Sequence, residues 1–120
     1  MDLAEILASM IAGDGLSVAL VVGGDGLLVE GQCRGGNIDL PALAAMASRS
    51  LNDLHYLART LDAGAIRRMR LRFDHYELLV ESLTDTDILV AGVSSATAGE
   101  QLLEAAAHYR VELRKLLGEL

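Results

Sequence analysis

The feature that most restricts the fold is one long amphipathic segment near the middle of the chain. Asp39 opens it, and Pro41 falls in the first turn, where a helix has no use for the amide hydrogen that proline lacks. Leu40, Leu43, Ala47, Leu51, Leu54, Ala58 and Leu61 then keep to one stripe until Gly64 ends it. The spacing predicts a helix of about six turns. A helix with one apolar stripe must bury it against another layer.

The flanking segments supply that layer. Leu3, Ile6, Leu7 and Met10 mark a helix over 2–12, with Asp2 and Glu5 at its start and Gly13 as its stop. From Leu16 to Val22 the run is almost continuously apolar and β-branched, as in a central strand covered on both faces. Gly23-Gly24-Asp25-Gly26 turns the chain into a second strand, Leu27 to Gly31. After the long helix come strand-like runs at 66–73, 76–83 and 87–93, separated by Asp74-His75 and by Thr84-Asp85-Thr86.

A two-residue turn at Asp74-His75 fixes a register. Phe73 then faces Tyr76, Leu71 faces Leu78 and Met69 faces Val80; on the opposite face Arg72 lies across from Glu77 and Arg68 from Glu81. Each opposite-charge pair contributes roughly 0.2–1 kcal/mol. Thr97 and Glu100 read as a capping box before a last helix with the stripe Leu102, Ala106, Tyr109, Leu113, Leu116 and Leu120. The order α-β-β-α-β-β-β-α implies an α+β fold, a mainly antiparallel five-stranded sheet with helices on both faces.

Composition limits the rest. The chain has 120 residues, 17 acids and 10 bases, for a net charge of −7, which argues against nucleic acid as a partner. That length supports one core, so residues 1–120 are read as a single domain. The single cysteine, Cys33, forms no internal disulfide and suits a reducing, cytoplasmic setting. No basic start or long apolar run marks a signal or a membrane span.

No catalytic constellation is legible. The Gly23–Gly26 run has neither the lysine nor the following helix of a phosphate loop. His55, His75 and His108 fall on a helix, a turn and a helix, without spacing for a shared metal. Cys33 follows the second strand beside Arg34 but has no evident base, and Asp85 and Asp87 read as turn chemistry. The expectation is a protein with no enzyme activity, no cofactor and no metal.

Interaction signals are clearer. Arg59, Arg67, Arg68, Arg70 and Arg72 concentrate half the basic charge of an acidic chain, with Arg67 and Arg70 lacking an assigned partner. On the long helix, Met46, Ser50 and Leu57 lie on one flank of the core stripe, beside the small residues Ala42, Ala45 and Ser48. Arg49, Asn52, Tyr56 and Arg59 point outward, either as a partner face rich in interface anchors or as ordinary solvated surface.

Four stretches, GLSVALVVGGDGLLVEG, LPALAAMASRSLNDLHYLARTL, ELLVESLTDTDILVAGV and SSATAGEQLLEAAAHYRVEL, resemble in order the Roadblock family, which includes Roadblock-type dynein light chains and bacterial regulators of Ras-like GTPases. The resemblance implies a five-stranded antiparallel sheet with the long helix on one face and the terminal helices on the other. It also implies a homodimer in which third strands pair across a two-fold axis and long helices pack together, using Met46, Ser50, Leu57, Arg68, Met69 and Arg70. Arginines meeting their symmetry mates there need neutralising by Glu77, Glu81 or Asp62. The chain departs from the family pattern at Gly23-Gly24, where a polar residue is common, and at Ser82, where proline often ends the fourth strand.

The expected function is therefore a homodimeric adaptor or regulator that binds a small Ras-like GTPase through Arg49, Asn52, Tyr56 and Arg59. It would act either as a scaffold or as an activator that orders the partner's own catalytic residues. The alternatives are a small-ligand sensor module, or a dimerising assembly subunit with no GTPase partner.

Overall fold

The computed structural model describes residues 1–94 and 99–118. Its elements are α1 (Leu3–Ala12), β1 (Val18–Val22), β2 (Leu28–Cys33), α2 (Leu40–Leu61), β3 (Arg68–Arg72), β4 (Glu77–Ser82), β5 (Ile88–Val93) and α3 (Gly99–Gly118), with a 3-10 turn at Arg34–Gly36. All five strands join one antiparallel sheet in the order β2-β1-β5-β4-β3. This is the α+β fold expected, with the long helix on one face and the terminal helices on the other.

The apolar run of β1 explains its central place. Val18, Leu20 and Val22 enter the core beneath α2, while Ala19 and Val21 enter the core beneath α1 and α3. All five residues are fully buried, as a strand covered on both faces requires. α1 begins at a capping box, in which the Asp2 carboxylate accepts from the Glu5 amide and the Glu5 carboxylate from the Asp2 amide. At the head of α2 the Asp39 carboxylate accepts from the Ala42 amide at 3.1 Å.

Several boundaries differ from the sequence reading. β2 runs on to Cys33, because the Arg34 amide still donates to the Ser17 carbonyl, so Cys33 ends the strand instead of following it. α2 stops at Leu61, not at Gly64, since Asp62 takes the left-handed conformation (φ 52°) that closes a helix. Leu61 in that last turn is exposed, and Ala44 takes a place in the buried stripe. The runs at 66–73, 76–83 and 87–93 each lose a residue or more at their ends to turns. Thr97 of the expected capping box and Leu120 lie outside the described residues.

The register deduced from Asp74-His75 is the one observed: Arg68↔Glu81, Met69↔Val80, Leu71↔Leu78 and Arg72↔Glu77. Beyond the strands the Phe73 amide donates to the Tyr76 carbonyl at 2.7 Å, closing the hairpin. α2 packs chiefly over β2 and β1. Its core takes in Val80 of β4 and Ile88 and Val90 of β5, while Leu71 of β3 on the same face is exposed.

Candidate functional site

The β3–β4 end of the sheet and the adjoining flank of α2 form one apolar surface. Met69, Leu71, Leu78 and Val80 face Leu43, Met46, Ala47 and Ser50 across a groove of about 190 Å³. Farther along, Leu54, Leu57, Ala58 and Leu61 line a second hollow with Ala63–Arg68, of about 420 Å³. Met46 is 61% exposed, Leu57 54%, Leu61 66% and Phe73 56%. Large side chains are seldom left exposed in such a cluster unless another surface covers them. The flank holding Met46, Ser50 and Leu57 and the strand holding Met69 are thus brought together, as the dimer expectation requires. Leu61, Leu71 and Phe73 belong to the same surface and were not singled out from sequence, although alternation along β3 already put Leu71 and Phe73 beside Met69.

β3 is an edge strand. Its odd-numbered residues bond to β4, as the Ser82 amide to the Arg67 carbonyl (3.0 Å) and the Phe73 amide to the Tyr76 carbonyl show. The amides and carbonyls of Arg68, Arg70 and Arg72 therefore face away from the sheet and stand ready for another strand.

The arginine side chains lie on the opposite face, toward α3. Arg68 pairs with Glu81 at 2.9 Å and Arg72 with Glu77 at 3.1 Å, as the register predicts. Arg70, to which sequence assigned no partner, reaches diagonally to Glu77 at 3.1 Å. Arg110 of α3 lies 2.6 Å from the same Glu81 oxygen. Both glutamates are buried. Asp62, the third candidate for neutralising these arginines, is occupied at the end of α2 and pairs with none of them among the described residues.

Arg49, Asn52, Tyr56 and Arg59 share the solvent face of α2 and are exposed. The Arg59 guanidinium sits over the Tyr56 ring, 4.5 Å from its centroid, a contact worth about 0.5–1 kcal/mol at an exposed site. Next to them a cleft of about 240 Å³ is lined by Ser48, Asn52, His55, Arg67, Thr84 and Thr86 and by the backbone of Gly23-Gly24. A Cβ on Gly24 would stand 2.9 Å from that of Thr86, so glycine is needed where the β1–β2 turn meets the β4–β5 turn. Ser82 opens onto the same cleft, and its amide, which a proline would lack, extends the β3–β4 ladder to Arg67. The two departures from the family pattern thus meet at one place.

The remaining candidates have ordinary surroundings. The Thr84 hydroxyl donates to the Asp87 carboxylate at 2.8 Å and accepts from the Asp87 amide, which makes the Asp85–Asp87 segment a turn. His108 meets Tyr109 edge to face, and His75 lies exposed in the hairpin turn. Burial raises the Tyr76 phenol's pKa above its ordinary value; Ser17 offsets this in part and Cys33 adds to it. The Tyr76 hydroxyl has no hydrogen-bond partner of good geometry among the described residues, and the Ser17 hydroxyl donates to that of Ser94 at 3.1 Å.

The Roadblock/LC7 domain profile matches residues 2–93. The chain belongs to the Roadblock/LC7 family. α3 lies beyond the matched residues. Among solved structures, Myxococcus xanthus MglB superposes with TM-score 0.86 at 17% identity over 100% of both chains. The gliding protein MglB from Thermus thermophilus gives 0.87 at 15% identity, over 97% of this chain and 88% of the other. A Roadblock/LC7 domain from Streptomyces avermitilis gives 0.68 at 20% identity, over 94% of this chain and 98% of the other. No curated protein matches by sequence. These likenesses establish a shared fold.

Proposed function

We propose that this Roadblock/LC7 protein is a homodimeric adaptor or regulator of a small Ras-like GTPase and contributes no catalytic residue of its own. The observation that carries the reading is the apolar surface shared by the α2 flank and β3, set against the free edge of the sheet. A second copy fits both at once. Pairing of β3 with its symmetry mate would satisfy the outward backbone groups of Arg68, Arg70 and Arg72, while Met46 and Leu57 are covered by the neighbouring α2. Family membership and the likeness in fold to MglB support a GTPase as the further partner.

In such a dimer the two α2 helices lie side by side, and their solvent faces form one platform bearing Arg49, Asn52, Tyr56 and Arg59 from each copy. Stacked Tyr56 and Arg59 supply amphipathic anchors of the residue types that dominate interfaces. The test is binding of the purified chain to Ras-like GTPases of its own cell, loaded with GDP or a non-hydrolysable GTP analogue, with the mass of the complex recorded. The expected result is preference for the GTP form with two copies of this chain, lost on combining Arg49→Glu with Arg59→Glu at unchanged thermal stability. Equal affinity of that variant would remove the assignment of the face. Absence of binding to every GTPase tested would remove the GTPase reading.

A further inference from the structure

The α3 side of β3 carries more positive charge than the fold requires. Glu77 and Glu81 are buried, and one guanidinium each would neutralise them. Instead Arg68, Arg70, Arg72 and Arg110 crowd onto the two, and Arg114 adds a fifth guanidinium whose Nη2 donates to the Ser82 carbonyl at 3.3 Å. Among the described residues no further carboxylate pairs with any of them, so five cations against two anions leave three charges uncompensated on a chain of net −7. The Arg72 side chain is 71% exposed and that of Arg70 40%, and among the described residues most of their N–H donors have no partner.

We infer that this arginine face is a docking surface for an acidic polypeptide segment. Charge complementarity selects the occupant. Guanidinium forks bind carboxylates in pairs, and the spacing of alternate residues along β3, about 6.6 Å, matches that of alternate side chains on an extended partner. α3 borders the arginine row on one side through Arg110 and Arg114. An anionic membrane is disfavoured because its extended surface meets the molecule's net charge of −7, whereas a short segment meets only the local row of arginines. If β3 pairs as proposed above, two such arginine rows join into one between symmetry-related α3 helices; only this doubling rests on the dimer reading. It also couples the two events, because an acidic segment relieves repulsion between arginines brought together at the axis, and so favours dimerisation.

The experiment is fluorescence anisotropy of a short fluorescein-labelled peptide alternating glutamate and serine, titrated with the full chain at low and at physiological salt. Binding is expected, weaker at higher salt. The combination of Arg72→Gln with Arg114→Gln, which leaves both glutamates paired, should weaken it by about tenfold, at unaltered circular dichroism. Arg72→Gln alone, leaving Arg70 on Glu77, reads the same direction if the double variant fails to fold. Arg49→Gln with Arg59→Gln on α2 should leave peptide affinity unchanged. Unaltered affinity of the β3 variants, loss through the α2 variant, or co-sedimentation with phosphatidylserine vesicles in place of peptide binding would each overturn the inference. Sedimentation equilibrium without peptide reports the dimer separately, so the failure of one reading is distinguishable from failure of the other.

Discussion

Glu81 offers a severe test of the energetics at the β3–β4 hairpin. Its side chain is 6% exposed and holds Arg68 at 2.9 Å and Arg110 at 2.6 Å, whose side chains are 39% and 24% exposed. Glu81→Gln keeps the shape and removes the charge, leaving two guanidiniums crowded around a neutral amide. Removing one member of a fully buried pair costs about 3–5 kcal/mol. Both arginines here reach some water and can rehydrate, which brings the expected loss to about 2 kcal/mol. For a chain of this size that corresponds to a fall in Tm of roughly 8 °C.

Arg68→Gln is the matched comparison. It leaves Glu81 with Arg110, so its cost should be about 1 kcal/mol or less. Combining it with Glu81→Gln should cost little beyond Glu81→Gln alone, because the repulsion left by that change is then relieved. Urea unfolding followed by circular dichroism reads all three, at one fixed protein concentration since self-association would add to apparent stability. Equal losses from Glu81→Gln and Arg68→Gln, or a neutral Glu81→Gln, would refute the view that one buried carboxylate is shared between strand and helix.

Tyr76 predicts an alkaline signature. Its folded pKa lies above the ordinary phenol value, so the unfolded chain loses that proton first; stability is full below about pH 10 and declines as pH rises through the folded pKa. Tyr76→Phe should abolish this component while changing neutral-pH stability by no more than about 1 kcal/mol, since the hydroxyl has no hydrogen-bond partner among the described residues. Urea midpoints measured across alkaline pH check both statements. At the end of α2, Asp62→Gly should stabilise by about 1 kcal/mol in thermal unfolding, because it relaxes a left-handed residue and removes a carboxylate from the negative end of the helix.

The sheet was readable in the sequence where two independent constraints coincided. At the hairpin, a two-residue turn and the charge pattern demanded the same pairing, and Arg68 and Arg72 meet Glu81 and Glu77 as expected. Arg70 escaped because its partner is diagonal: it faces Leu79 in register, and only the length of a guanidinium side chain brings it to Glu77. Arg110 could not be found in that way at all, since its meeting with Glu81 depends on how α3 crosses the sheet. Leu61 followed the helical period and still came out exposed, because periodicity knows the direction of a side chain and not where the opposing layer ends. The cleft at Gly24, Ser82 and His55 was hidden for a similar reason, being assembled from two turns and a helix distant in sequence.

The geometry of β3 makes self-pairing more specific than a general apolar contact. In an antiparallel pair, facing residues have a constant sum of numbers and point to the same face, so across a two-fold axis the sum is even and the axis passes through a residue. Met69, Arg70 and Leu71 are the central possibilities within Arg68–Arg72. At the axis residue the two Cα atoms stand about 4.5–5.5 Å apart, within reach of a disulfide. Two residues away each position is displaced from its own mate by about 13 Å along the strands and cannot be bridged. In a Cys33→Ser background, Met69→Cys, Arg70→Cys and Leu71→Cys should thus form interchain disulfides very unequally under mild oxidation, with one position dominating on non-reducing electrophoresis. Glu77 keeps Arg72 as partner even in the Arg70→Cys chain, so all three variants retain a neutralised core. Uniform cross-linking would indicate random collision, and none at all would show that the free edge of β3 is not where two copies meet.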